Sequence, residues 1–195
     1  NETALQFTYR SGSNSALYNI NNTARFNADS IVFKGHSGIE AVDTHSTNRN
    51  TVEFSGSGST EIYAVSDGIA DDNIYGEIIG GKAIDVERTD ITFNNDALLV
   101  GQNPTAQGTA PGHWVNEGTQ FEYWQDGYWL KAVSIGNESN LVANKDFSLE
   151  SNGGYYNTGL HVWGQSQAQF NGKTNIVVKN GVNTARAVYI YDNVD

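Results

Sequence analysis

The stretch KDFSLESNGGYYNTGLHVWGQSQAQFNGKTNIVVKNGVNTARAVYIYDNVD, residues 145–195, decides how the chain is read, because two kinds of short strand alternate in it. One kind is a polar residue followed by apolar-x-apolar and closed by a turn of Asn, Gly, Ser or Lys, as in Asp146-Phe147-Ser148-Leu149 and Asn175-Ile176-Val177-Val178. The other opens on a small residue, as in Gly159-Leu160-His161-Val162-Trp163 and Ala187-Val188-Tyr189-Ile190-Tyr191. The pair occurs twice over, and a unit that recurs in this way marks a stacked repeat rather than one closed core.

Upstream the same units return. Asp29-Ser30-Ile31-Val32-Phe33-Lys34-Gly35, Asn50-Thr51-Val52-Glu53-Phe54-Ser55-Gly56 and Asp90-Ile91-Thr92-Phe93 are of the first kind. Ser37-Gly38-Ile39-Glu40-Ala41-Val42-Asp43 and Glu61-Ile62-Tyr63-Ala64-Val65 are of the second. Ile31 and Val52 stand 21 residues apart, Val52 and Ile91 39, Phe147 and Ile176 29. These distances predict coils of about 20 residues whose length varies at Gly/Asn/Ser turns, with two coils between Val52 and Ile91 and an extra strand at 74–79. Alternation along each strand turns Ile31/Phe33, Val52/Phe54, Ile91/Phe93 and Ile176/Val178 toward one shared interior. Helix is disfavoured, since β-branched and aromatic residues recur at period 2 and Gly, Ser or Asn interrupts nearly every window of eight. The expected fold is all-β, a right-handed parallel β-helix (solenoid).

Composition narrows the function. The chain has 195 residues with 21 Gly, 2 Pro, and neither Cys nor Met; its formal net charge is −11. A surface of that sign repels phosphate backbones, so nucleic acid is not an expected partner. Lack of Cys removes disulfides, thiolate nucleophiles and Cys-ligated metals. No apolar run approaches the roughly 20 residues that would cross a bilayer, and no signal peptide is seen, so membrane contact by this stretch is not expected. Polarity comes instead from Asn, of which there are 23, suited to turns. The chain opens without Met and stops just after a strand, which reads as an excised piece, 1–195, of a longer β-helix protein.

One segment breaks the rhythm. Residues 102–130, QNPTAQGTAPGHWVNEGTQFEYWQDGYWL, hold both prolines and three of the four tryptophans. Its second half alternates aromatics with Glu, Gln and Asp, which predicts an insertion protruding from the stack as a β-hairpin, with Gln125-Asp126-Gly127 at the turn because Asp-Gly readily takes positive φ. Flat rings beside amides and carboxylates are what sugar and protein contact surfaces use, so Trp114, Phe121, Tyr123, Trp124, Tyr128 and Trp129 are the candidate ligand-binding residues. The same rings could instead pack the insertion onto the stack, and the sequence leaves both readings open.

Catalytic signatures are weak. Gly172-Lys173-Thr174 ends like a phosphate-binding loop, but Gln167 stands where the motif needs its first Gly, so a turn is the better reading. Gly80-Gly81-Lys82-Ala83-Ile84-Asp85 starts like a Ca-binding nonapeptide without its middle Gly, and reads as a turn into a strand. His36, His45, His113 and His161 show no metal-ligand spacing and read as surface histidines, His161 facing outward between Leu160 and Val162. Asp67, Asp71 and Asp72 form the densest acidic cluster, the place to seek a sugar-cleaving carboxylate pair or Ca²⁺ ligands, though a solvated turn explains them as well. No catalytic residue, metal or cofactor is assigned.

The stretches DSIVFKG-HSGIEAVD, TDITFNNDALLVG and TNIVVKNG-VNTARAVYIYDN resemble coils of autotransporter passenger domains, the pertactin-like surface adhesins of Gram-negative bacteria. The resemblance spans roughly 29–101 and 131–195; coils of phage tailspikes, two-partner-secreted haemagglutinins and pectate-lyase-like enzymes look similar. It implies an extracellular protein at the bacterial cell surface, a non-catalytic adhesin binding a receptor or glycan on host or neighbouring cells, sometimes with self-association. The rival expectation is a carbohydrate-active β-helix enzyme, a polysaccharide lyase or glycoside hydrolase using Asp67, Asp71 and Asp72. A third is a structural, self-associating fibre.

Overall fold

The structure is a computed structural model that describes residues 3–6, 21–41, 49–66, 80–104, 113–115, 123–125 and 129–191. Every regular element among them is a strand. A first coil comprises β1 (Thr3–Gln6), β2 (Thr23–Asn27) and β3 (Ile31–Gly35), and a second β4 (Ser37–Ala41), β5 (Asn50–Ser55) and β6 (Ser59–Val65). A third has β7 (Ile84–Glu87), β8 (Thr89–Phe93) and β9 (Asp96–Asn103); β10 (His113–Val115) and β11 (Tyr123–Gln125) follow as a separate pair. A fourth coil has β12 (Trp129–Gly136), β13 (Asn140–Ala143) and β14 (Phe147–Gly153), and a fifth β15 (Tyr156–Trp163), β16 (Gln167–Phe170) and β17 (Thr174–Lys179), before the last strand, β18 (Thr184–Tyr191).

Like strands of successive coils lie side by side, all parallel. Sheet I runs β1-β4-β7-β12-β15-β18, sheet II β2-β5-β8-β13-β16, and sheet III β3-β6-β9-β14-β17. Each coil therefore contributes one strand to each of three sheets, and the fold is a parallel β-helix. Parallel neighbours need a long crossover, which here is the rest of the coil itself.

Coil length and strand count differ from the expectation. Asn144 and Asn171, like Asp146 and Lys173, occupy matching places 27 residues apart, so the basic coil holds three strands in about that length rather than two strands in 20. The first kind of strand merged two sheets: Val52 and Ile91 lie in sheet II, whereas Ile31, Phe147 and Ile176 lie in sheet III. Only three residues separate β13 from β14, a corner too short to register as a break in the alternation. Val52 pairs directly with Ile91, so their interval is one lengthened coil, not two. The strand expected at 74–79 falls outside the described residues.

The interior is one apolar cluster drawn from all three sheets, including Ile39, Ile84, Val133 and Leu160 of sheet I, Val52 and Leu141 of sheet II, and Ile62, Leu99 and Leu149 of sheet III. Along the corner between sheets II and III runs a column of rings. Phe26 stacks on Phe54 at 5.3 Å and Phe54 on Phe93 at 4.9 Å, the rings nearly parallel. The column then steps sideways: Ala143 lies opposite Phe93 in sheet II, and Phe147 of sheet III, opposite Ala97, supplies the ring. Phe147 lies 6.2 Å from Phe93 and 4.9 Å from Phe170. Phe93/Ala97 in one coil thus becomes Ala143/Phe147 in the next, the same volume with the large residue on the other strand, as close packing demands.

The outer side of this corner repeats in polar terms. Asn144 donates to Asn94 at 2.7 Å and Asn171 to Asn144 at 2.8 Å. The carboxylate of Asp96 accepts from the Asp146 amide, and that of Asp146 from the Lys173 amide. Sheets I and II meet through left-handed residues, Arg88 (φ 47), Asn137 (φ 49), Glu138 (φ 67) and Gln165 (φ 59). At Gly136 an added Cβ would lie 2.1 Å from the Trp163 ring, so the indole covers a place only glycine leaves free.

Candidate functional site

The two longest intervals, β6 to β7 and β9 to β12, fall between the end of a sheet III strand and the next sheet I strand. Between β9 and β12 the chain builds β10 and β11, an antiparallel pair with His113 opposite Gln125, Trp114 opposite Trp124 and Val115 opposite Tyr123. A hairpin is therefore present, but its turn is not where Asp-Gly suggested. Gln125 ends the second strand, and the strands are joined through 116–122. Aromatic residues at directly opposite positions reinforce a two-stranded ribbon, which is marginal alone, and the register of β10 and β11 sets position 114 opposite position 124. Phe121 and Tyr128 lie outside the described residues, as do Asp67, Asp71, Asp72 and His45.

The stack claims both margins of the expected insertion. Gln102 and Asn103 belong to β9 and pair with Asn152 and Gly153. Trp129 and Leu130 belong to β12 and pair with Tyr156 and Asn157. Trp129 is only 5% exposed. Its indole nitrogen donates to the Thr158 hydroxyl at 3.0 Å, and the Lys131 ammonium sits 4.2 Å from its ring centre. Of the two roles open to this residue, the structure places it in packing, as the ring that fixes the chain's re-entry into sheet I.

His161 also departs from its expected setting. It does point away from Leu160 and Val162, yet it is 3% exposed and its ring stacks on Tyr189 at 5.3 Å, with Trp129 5.7 Å away. Neighbouring coils bring the three rings together on the outer face of sheet I, where Arg186 lies 4.6 Å over Tyr189. The period of a coil, not any local spacing, is the signal that would have grouped them.

The two glycine motifs behave as turns. Gly172-Lys173-Thr174 connects β16 to β17, its Lys173 amide bound to Asp146. Gly80 and Gly81, at φ 87 and 77, lead into β7. Among the described residues no three His, Asp or Glu gather as a metal site.

One ionic group stands apart. Arg49 grips Asp90 with two bonds, Nε to Oδ2 at 2.7 Å and Nη2 to Oδ1 at 2.6 Å, and Asn140 adds a third at 2.7 Å. Partial burial pushes the Asp90 carboxyl up, but the Arg49 bond, the Asn140 bond and the Arg49 charge outweigh it and hold the group below its ordinary range. The bond it donates to Asp90 likewise raises Arg49, against the opposing pull of desolvation. At neutral pH the pair is a fixed salt link with no proton to give.

No protein-family model, curated protein or solved structure matches the chain.

Proposed function

We propose that this chain is a non-catalytic β-helix module of a bacterial surface adhesin, in which a stiff stack of coils carries the β10–β11 hairpin to a receptor or glycan on a host or neighbouring cell. The observation that carries this reading is the hairpin's place. Across the long excursion between β9 and β12, matched corner residues lie 50 apart instead of 27, and the ladders on both sides stay in register. The stack does not need that segment to close its core, and an excursion that costs loop-closure entropy without serving the scaffold is where contact function resides on a rigid frame. Trp114 and Trp124 then supply broad, low-entropy contact surface.

Replacing Trp114 and Trp124 together with alanine tests it. Cell-surface or glycan-array binding should fall by about tenfold or more, on the scale of lost aromatic anchors, while far-UV circular dichroism and melting stay as in the parent. Binding that survives the double replacement unchanged overturns the assignment to the hairpin.

A further inference from the structure

We infer that the outer face of sheet II is a second binding surface, a groove for a neutral oligosaccharide, independent of the hairpin. The groove has a volume of about 350 Å³, within the range of sites that hold small ligands. It crosses β8, β13 and β16, so it lies along the helix axis and spans two strand spacings, about 10 Å. Two columns form its floor, Asp90 beside Asn140 beside Gln167, and Thr92 beside Val142 beside Gln169.

The chemistry is that of polyol recognition. Gln169 uses its Nε2 on Asn171 at 2.9 Å, which leaves its carbonyl oxygen to accept from a hydroxyl. Asn140 spends one amide hydrogen on Asp90, which orients its own carbonyl and fixes it. Gln167 is exposed at the rim, and Thr92 carries a hydroxyl that both donates and accepts. Val142 sits between these groups as the apolar spot against which the C–H face of a sugar ring packs. A concave, mostly neutral floor with a few placed amides around an apolar centre suits a ring bearing several hydroxyls.

Charge and backbone select the ligand class. Arg49 cancels Asp90, so the floor has no net charge, while the chain's −11 disfavours polyanions. A peptide strand would add at a free sheet edge, here that of β16, whereas the groove lies on the sheet face, which strand addition would leave unoccupied.

Titration calorimetry of the full chain with maltohexaose, cellohexaose, chitohexaose and polygalacturonate, alongside amide-shift mapping, tests the inference. At least one neutral hexaose should bind and shift resonances of β8, β13 and β16. Gln167→Ala with Gln169→Ala, at exposed positions, should raise its Kd by about tenfold, the value of two lost hydrogen bonds, and Trp114→Ala with Trp124→Ala should leave it unaltered. The inference is overturned if none of the three hexaoses binds, if polygalacturonate binds more tightly than they do, or if the glutamine variant keeps the parent's Kd. Loss of binding in the tryptophan variant alone would assign the sugar to the hairpin and overturn it equally.

Discussion

Two columns run the length of the corner between sheets II and III, one inside and one out, and successive residues build them: Phe93 and Asn94, Ala143 and Asn144, Phe170 and Asn171. The inner column is a matter of volume. It survives the exchange of Phe93/Ala97 for Ala143/Phe147, because any strand that supplies a ring of the right size fills the axis. The outer column is a matter of direction. An amide ladder needs a donor and an acceptor on every step, and toward the first coils it gives way to Glu53, which accepts from Asn94 at 3.0 Å. Inside, the fold tolerates a change of strand but not a void; outside, it tolerates a change of residue at little cost.

The sharpest way to break the inner column is Phe147→Ala, which leaves a hole between Phe93 and Phe170 and should cost about 3–5 kcal/mol, seen as a large drop in the chemical-denaturation midpoint. Adding Ala143→Phe should recover most of that loss, since the double variant rebuilds the arrangement of the preceding coil and volume-conserving swaps cost less than about 1.5 kcal/mol. If the double variant is no more stable than Phe147→Ala alone, the column is not governed by volume. On the outer side, Asn144→Ala removes two ladder bonds at an exposed position, and a loss of about 1 kcal/mol in the same measurement is expected.

A smaller effect belongs to Asp90. Because its carboxyl is depressed in the folded chain, the unfolded chain takes up its proton first as pH falls. The stability this group contributes is present above the ordinary carboxylate range, near pH 4, and is lost as pH drops below it. Asp90→Asn should therefore flatten the acid limb of the stability profile, with a difference at neutral pH of no more than about 1 kcal/mol because the pair is part-exposed and screened by solvent. An acid limb identical to the parent's would show that Arg49 does not hold this charge. Least of all, Gln165→Gly should stabilise by at most about 1 kcal/mol, by relieving a left-handed backbone that glycine adopts freely; a destabilised variant would mean that the Gln165 side chain earns its place.

The class of fold was legible from period-2 alternation and recurrence, while the length of the coil was not. Alternation reports which way a side chain points relative to its own strand, and it is blind to which of three sheets that strand enters. A better ruler lies in Phe26-Asn27, Phe54-Ser55, Phe93-Asn94, Ala143-Asn144 and Phe170-Asn171, which close the sheet II strand of every coil. The exchange at Ala143 hides one member of that series, because ring and small residue trade strands. The hairpin was visible in its aromatic alternation, yet its turn was misplaced, since a strong Asp-Gly signal outside the pairing drew attention from 116–122. For Trp129 the sequence left packing and contact both open, and His161 read as a surface residue, because burial on the outer face of sheet I depends on residues one coil away, such as Thr158 and Tyr189. The sheet II groove went unnoticed for the same reason: Asp90, Asn140 and Gln167 become neighbours only through stacking.

The 27-residue coil also sets a mechanical grain. Force applied along the helix axis at β18 meets the ladders one strand pair after another, so coils leave the end singly instead of shearing together. Each released coil of 27 residues adds about 90 Å of extended chain. A protein built in this way gives ground under tension in steps set by coil length, shortest at the 27-residue coil and longest where 50 residues separate matched positions, while its remaining coils keep their shape.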